Sequence, residues 1–459
     1  MIIVNDKHSR LNSTMVAQVV APRNTQDLMQ IVSQSERIAI AGGRHSMGGQ
    51  QFCAGITLVD MTQMSQVTHF DQDAGLITVQ SGMMWPDLVA YLKRTQRWSI
   101  RQKQTGCDAL TIGGALSSNV HGRGLAFKPI VDDIENFTLI THDGCLRHCD
   151  RHQNTELFRL AIGGYGMFGV IVTVTLRLVP RVVLRRDVSV SYAPVDDLHK
   201  AIVCGATYGD FQFNIDHDSP DFLRRGILST YTPVDATPSS DNKLLAQSDW
   251  QRLLYLAHTD KGRAFAQYEA HYLATNGQLY WSDTFQSATY IDGYHDDVDK
   301  KLGRGCGGGE MISELYVPRE NLEIFLSRAA CALRELQADV IYGTVRLIEK
   351  DDETVLAWAR ESWACVIFNL HVDHVPEAVD KAKHAFRSLI DFALAFGGTY
   401  YLTYHRFASR DQLLACHPRI GEFAVAKLAY DPAGKFWSDW WEAIVGDLKS
   451  KGEIGGEFL

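Results

Sequence analysis

Three glycine-rich runs, each beside an apolar strand-like segment, constrain this chain more than any other feature. The first, Gly42-Gly43-Arg44-His45-Ser46-Met47-Gly48-Gly49, follows the short apolar strand Arg37–Ala41. The second is Thr111–Gly122, and the third, Ile162–Gly169, leads into the alternating segment Val170–Leu178. Glycine lets backbone amides come close to a phosphate and takes positive φ without steric cost. Three such loops read either as tight turns or as a cradle around an extended dinucleotide, and the residues alone leave both open. A nicotinamide-binding fingerprint fits poorly. Gly164-x-Gly166-x-x-Gly169 has the spacing, but a strand follows where a helix is required, and the acidic residue expected about 20 positions on is only Asp187, beyond a proline.

Around these loops short strands alternate with helices. The pattern predicts a helix over Asn24–Ser33, strands at Ile56–Asp60 and Leu76–Gln80, and a helix over Pro86–Arg94. After Pro180 the glycine punctuation thins. Strands are expected at Asp187–Tyr192, Thr344–Ile348 and Ala364–Val372, with amphipathic helices at Glu320–Leu336 and Pro376–Ala395. The expected fold is α+β: residues 1–185 as the glycine-loop domain, 186–396 as a helix-backed sheet covering the substrate, and 397–459 returning to the first domain. Gly303–Gly309 is expected to be a mobile loop, since no Lys-Ser/Thr follows it as a phosphate loop requires.

The formal charge of -9 argues against nucleic acid as the main partner, because phosphate neutralisation needs a basic surface. The short Arg181–Arg186 cluster is explained by a solvated strand edge. Nine cysteines, an odd number, do not form a disulfide framework. The segment MIIVNDKHSRLNST lacks a basic stretch followed by an apolar run, and no apolar stretch reaches the roughly 18 residues of a membrane helix. A reducing cytoplasm and no membrane span are therefore the expectations, with the oligomeric state left unspecified. Cys145, His148, Cys149 and His152 have the spacing of a metal cluster on a helix, which would make a metal-stabilised interaction protein. However, His142-Asp143-Gly144 signals a hairpin turn, and on the strand that follows the ligands point to opposite sides. No metal is expected.

Taken together, Ala41–Gly49, Val59-Asp60-Met61, Thr111–Gly122 and Gly163–Gly169 resemble the flavin domain of the vanillyl-alcohol-oxidase superfamily, the PCMH-type FAD-binding fold. The order of motifs is similar to that of alditol oxidases, sugar-lactone oxidases and the decaprenylphosphoryl-ribose oxidase group. The likeness continues into Glu314–Arg319 and Gly397–Trp437. The resemblance implies a bipartite FAD domain of two α/β subdomains built from both chain ends and interrupted by an α+β substrate cap. It implies FAD contacts from Ala41, Gly42, Gly43, Arg44, His45, Ser46, Met47, Gly48 and Gln50, from Thr111, Gly113, Gly114, Ser117, Ser118, His121 and Gly122, and from Gly166, Gly169 and Ile171. It further implies a small alcohol, sugar-like or lactone substrate, with oxygen or another electron acceptor.

In members with covalent flavin, a histidine in a Gly-x-Gly-His-Ser-like loop bonds the flavin 8α-methyl group. His45 stands at that position, with Arg44 where a glycine is usual; the alternative is a histidine that caps the loop without a bond. Cys107 lies six residues before Gly113, where a second tether is found in bicovalent relatives, but the Thr111–Gly114 context resembles the singly linked branch. Alternation puts Thr344 with Arg346 on one strand face, and Asn369 with His371 on another. Alditol oxidases carry Glu-x-Arg on the first of these strands and a lysine in the tail. Here Arg346 is kept, Thr344 replaces the acid, and Tyr401 and Tyr404 occupy the lysine region. Arg346, Tyr401, Tyr404, His371 and Asn369 are thus the candidates for acting on substrate, a phenol serving as base only if its pKa is lowered. Asn369 and His371 read equally as ordinary sheet positions, and Glu314 as a solvated strand charge. Gly113 is expected to leave a methyl-sized gap through which oxygen reaches the flavin.

Overall fold

In the computed structural model, which describes residues 1–238, 242–286, 291 and 293–449, the first glycine loop leaves the end of a small parallel sheet. Strands β1 (Gln18–Val20), β2 (Ile38–Ala41) and β3 (Thr57–Asp60) lie in the order β1-β3-β2, all parallel. Helix α1 (Thr25–Gln34) connects β1 to β2. It starts where expected because the Asn24 side chain accepts the Asp27 amide, and it buries Leu28 and Val32, one turn apart. A second, antiparallel sheet of five strands comprises β4 (Val67–Asp71), β5 (Leu76–Gln80), β6 (Ile134–Ile140), β7 (Leu146–Cys149) and β8 (Val170–Arg177), in the order β7-β6-β8-β5-β4. Helices α2 (Trp85–Lys93), α3 (Ile112–Ser118) and α4 (Thr155–Ala161) accompany it. Strand β7 pairs antiparallel with β6 across the Asp143-Gly144 turn, with Cys149 buried and His148 half-buried, so the Cys145–His152 ligands do not converge.

The largest sheet has eight strands: β9 (Val183–Ser191), β10 (Tyr208–Phe213), β11 (Gly226–Val234), β12 (Leu279–Trp281), β13 (Gly308–Pro318), β14 (Val340–Ile348), β15 (Trp363–Asp373) and β16 (Thr399–Tyr400). Their spatial order is β12-β9-β11-β10-β14-β15-β13-β16. Of the helices that follow in the chain, α5 (Pro194–Val203) lies against β10 and β11, while α6 (Gln247–Thr259), α7 (Lys261–Ala274) and α8 (Tyr294–Leu302) contact β14, β9 and β13 respectively. Helices α9 (Leu322–Glu335) and α10 (Pro376–Ala395) pack on β13, and their buried Phe325, Ala329, Phe386 and Leu389 join Met311, Leu315, Phe368 and Leu370 in one core. The tail forms α11 (Arg410–Cys416), α12 (Ile420–Tyr430) and α13 (Asp439–Lys449), and Phe436 bridges to Ile38 beside the parallel sheet.

Two expectations are corrected here. Gly303–Gly309 is not a loop throughout: Gly303 caps α8 at φ 63°, while Gly308 and Gly309 pair with Asp373 and Val372 as the start of β13. Glycine is needed at 309 because a Cβ there would lie 2.3 Å from the Ser9 carbonyl oxygen of the crossing N-terminal segment. Nor is the whole Arg181–Arg186 cluster a solvated edge: only Arg185 is exposed, pairing with Asp187. Arg181 pairs with buried Asp283 at 2.9 Å, and the Arg186 guanidinium lies over the rings of Tyr231, Tyr272 and Tyr280.

Candidate functional site

Register across the large sheet places one row of polar side chains on a single face. Glu310 pairs with His371, Ile312 with Asn369, Glu314 with Ile367 and Tyr316 with Cys365; on the other side of β15, Tyr342 pairs with Asn369, Thr344 with Ile367 and Arg346 with Cys365. Directly paired residues share a face, so Glu310, Glu314, Arg346, Asn369 and Tyr342 all look the same way, opposite to the core under α9 and α10. They line a cavity of about 580 Å³, whose other walls come from α6, α7 and the second glycine loop. That volume lies in the range of small-molecule sites.

A narrow cleft adjoins the cavity, and the two share His45, Ser46, Leu110 and Ser118 in their walls. The cleft is lined by Ala41, Gly42, Gly43, Arg44, Gln50, Thr111, Gly113, Gly114, Ser117, Gly166, Gly169 and Ile171, all singled out in the sequence. Met47, Gly48 and Gly122, also singled out, line neither space: Met47 donates its amide to the Thr403 carbonyl, Gly48 to Gln50 Oε1 and Gly122 to Gln102 Oε1. Ile40, Gln51, Met61, Ser81 and Tyr165 line the cleft without having been foreseen. The loops meet closely: a Cβ on Gly42 would lie 2.1 Å from Thr111 Oγ1. Arg44 sits at φ 62°, the left-handed region that explains the glycine usual at this place, and its guanidinium is held by Asp60 at 3.0 Å. The flavin implied by the resemblance fits this cleft, because Ser81 Oγ and Gln51 Oε1 are buried in its wall with no hydrogen-bond partner.

His45 stands where cleft and cavity meet. Its Nδ1 lies 2.8 Å from His8 Nε2, and its Nε2 lies 2.8 Å from the Ala109 carbonyl and 3.3 Å from Cys107 Sγ. Burial pushes the Cys107 thiol up to about 11 and the His8 imidazole down to about 4, so near neutral pH Cys107 is a thiol and a weak nucleophile. Gly113 departs from expectation. A Cβ there would lie 2.7 Å from Ser81 Cβ and 3.0 Å from the Ser81 carbonyl oxygen, so no methyl-sized gap exists beside it.

The polar end of the cavity holds a carboxylate not foreseen as such. Glu314, expected to be solvated, is 2% exposed. It accepts hydrogen bonds from His121 Nε2, from Tyr316 Oη at 2.6 Å and from Cys365 Sγ at 3.1 Å. Burial alone would raise its pKa, but the charge of His121 and these donors outweigh it and carry Glu314 down to about 2. The other His121 nitrogen, Nδ1, faces the Gly122 carbonyl at 3.1 Å. Oxygen atoms thus face both ring nitrogens of His121, which joins Glu314 in a buried pair. Arg346 lies one row further on, 5% exposed. Its guanidinium bonds Thr105 Oγ1, Nε has no partner, and no carboxylate pairs with it among the described residues.

Tyr401 and Tyr404 also line the cavity, but burial raises both phenols well above their ordinary value, so neither serves as the proton acceptor considered from sequence. Tyr401 donates to the Ser118 carbonyl at 2.6 Å. Asn369 lines the cavity and donates to Glu310. Burial, opposed only by that bond, raises Glu310 to about 7. His371 does not line the cavity; its Nε2 contacts Asp373 at 3.0 Å and Arg304. At about 3.4 Å per residue, Glu310 lies roughly 20 Å along the sheet from the Arg346 row, so the two cannot grip one atom.

Residues 16–150 match the model of an FAD binding domain. The chain is 33% identical to an uncharacterized oxidoreductase, ORF5 in the fasciation locus of Rhodococcoides fascians, over 35% of this chain and 37% of that protein. It is 27% identical to L-gulonolactone oxidase of Bos taurus over 35% of this chain and 37% of the oxidase. These matches thus span little more than a third of the relatives' length. A longer match, 23% identical over 92% of this chain and 94% of the other, is to decaprenylphosphoryl-beta-D-ribose oxidase of Mycolicibacterium smegmatis. The chain contains an FAD-binding domain over residues 16–150 and is a homologue of the PCMH-type FAD oxidoreductases.

Proposed function

We propose that this protein is an FAD-dependent oxidoreductase acting on a small alcohol, sugar-like or lactone substrate, with residues 1–185 and 397–459 forming a bipartite flavin domain and 186–396 a substrate cap. FAD, when bound, accepts a hydride equivalent from a substrate C–H bond and passes the electrons to oxygen or another acceptor. The observation that carries the reading is Arg346: a buried guanidinium with no carboxylate partner among the described residues, in the wall of the cavity that adjoins the cleft. A buried charge left unpaired is costly, and an electron-rich group entering the cavity supplies what the fold does not. A substrate hydroxyl oxygen that becomes negatively charged as its O–H proton passes to solvent, while the C–H hydride departs, is such a group, and Arg346 holds and stabilises it. Glu314, held ionised by the donors around it, pairs with His121 in the same wall. Tyr401 and Tyr404, as neutral phenols, donate hydrogen bonds and keep water out.

The names of the gulonolactone and decaprenylphosphoryl-ribose oxidases support a sugar-derived substrate, and the absence of an acid at Thr344 argues against gripping a free polyol as alditol oxidases do. His45, at the junction of cleft and cavity, is the proposed tether to the flavin; attachment replaces the contacts at one of its ring nitrogens. The test is anaerobic bleaching of the flavin by a panel of polyols, sugar lactones, amines and prenyl-linked sugars. Arg346→Ala is expected to slow bleaching by the best substrate about tenfold or more, the scale of a lost charge-assisted contact, with FAD content unchanged. An unaltered rate removes Arg346 from the site, and no bleaching by any C–H donor overturns the reading.

A further inference from the structure

Beside the cavity, between the roof helices and the sheet, three imidazoles from distant parts of the chain converge: His258 on α6, His295 on α8 and His371 on β15. Their ligand atoms all lie within 4.8 Å of one another, and their ring centroids are 4.8 Å apart for His258 and His371, 5.4 Å for His295 and His371, and 5.8 Å for His258 and His295. Both nitrogens of His258, both of His295 and Nδ1 of His371 are buried with no hydrogen-bond partner. Buried polar atoms are nearly always satisfied, so a cluster of orphaned imidazole nitrogens needs an account. Mutual hydrogen bonding does not provide one, since none joins these rings.

We propose that His258, His295 and His371 form a three-histidine site for a divalent transition metal, zinc by its chemistry, that pins α6 and α8 to the large sheet. Imidazole nitrogen without thiolate or thioether suits zinc, copper and nickel, and zinc is content with three nitrogens and a water in a tetrahedral arrangement. Bonds of about 2.0–2.1 Å require nitrogens about 3.3 Å apart, which modest side-chain rotation supplies from the present spacing. His371 is already oriented for the role. Its Nε2 faces both the Asp373 carboxylate at 3.0 Å and the Arg304 guanidinium; in the tautomer that donates to Asp373 the Nδ1 lone pair is free to ligate, the arrangement in which a carboxylate orients a metal-binding histidine. Arg304, which also contacts Nε2, is held by Asp299 at 3.2 Å, so with Asp373 the surroundings carry one net negative charge before a dication enters.

The consequence is mechanical. Leu253, Leu254 and Ala257 of α6 and Tyr294 of α8 line the cavity, so a metal joining these helices to β15 fixes the roof over the substrate. The site stands apart from the flavin cleft and does not depend on the flavin reading.

The experiment uses the full chain with its flavin. After treatment with a chelator, the protein is titrated with Zn2+ against a chromophoric competitor, and bound zinc is counted by elemental analysis. One equivalent is expected, weakened about 100-fold or more by His258→Gln or His295→Gln and about tenfold by Asp373→Asn, the scale known for metal-site partners. His148→Ala, in the Cys145–His152 segment, is expected to bind as the wild type does. If the histidine variants do not fold, X-ray absorption at the zinc edge of the wild type decides: three imidazole ligands support the site, and a sulfur or all-oxygen shell overturns it. Absence of zinc, cobalt and nickel binding by the wild type, or retention of full affinity in both histidine variants, overturns it as well.

Discussion

Replacing Glu314 with glutamine keeps the shape of a fully buried side chain and removes only its charge. Two routes give the cost. The carboxyl falls from an ordinary 4.5 to about 2 in the folded chain, and a shift of that size corresponds to about 3 kcal/mol. Independently, removing one partner of a buried ion pair leaves the other uncompensated, which costs about 3–5 kcal/mol; here the partner left behind is His121. Because the folded pKa lies below the unfolded one, this stabilisation is fully present above about pH 4.5 and is lost as pH falls towards 2. The wild type should therefore show a thermal midpoint that drops steeply between about pH 5 and 2, and Glu314→Gln should start several degrees lower near pH 7 and lack that portion of the acid limb. The other titratable groups facing Glu314 do not imitate the effect: Tyr316, Tyr401, Tyr404 and Cys365 are all raised by burial. Differential scanning fluorimetry across pH, with flavin content checked at each point, measures this. A variant with the wild-type midpoint and an unchanged acid limb would refute the stabilising role of the Glu314 carboxylate and of its pairing with His121.

Glu310 runs the opposite way. Its folded value of about 7 lies above the ordinary 4.5, so its contribution is present below about pH 4.5 and is lost as pH rises through 7; Glu310→Gln should flatten the thermal midpoint between those limits, and an equal slope in both proteins counts against its burial as an acid. For His45, denaturation in acid followed by centrifugation should leave the yellow colour in the pellet, and His45→Ala should release it to the supernatant; free flavin from the wild type disproves the tether. Gly113→Ala should lower the thermal midpoint and the flavin content together, because its methyl meets the backbone at Ser81. A variant that keeps both and loses only the rate of reoxidation in air would restore the gap that the sequence suggested.

Local signals carried the reading of the cleft. Glycine spacing, the Asn24 cap and the alternation in Val170–Arg177 are each decided within a few residues, by sterics and backbone hydrogen bonding, so the strands and loops fall where the pattern puts them. The unexpected glycine replacement at Arg44 follows the same local logic: the backbone keeps φ 62° and the side chain takes up Asp60. Charge state is a different matter. Glu314 acquires its role from His121, 193 residues away in the chain, and nothing in Glu314-Leu315-Tyr316 distinguishes a carboxylate facing a histidine from one facing water.

Alternation along a strand identifies the face that a side chain shares with its neighbours two residues away, and no more. That is why Asn369 and His371 were grouped from sequence, and why the grouping is correct as to face and misleading as to place. Asn369 pairs with Ile312 and Tyr342 inside the cavity, whereas His371 pairs with Glu310 one step further on, where the strand passes beneath α6 and α8 and meets His258 and His295. One step of two residues, about 7 Å, separates a wall of the substrate cavity from a cluster of orphaned imidazoles. Those histidines come from an excursion whose helices are placed only by tertiary packing, so their meeting with β15 has no counterpart in any local pattern. A strand that serves two sites in succession can be recognised from sequence as a strand, but where one site ends and the next begins is set by what packs over it.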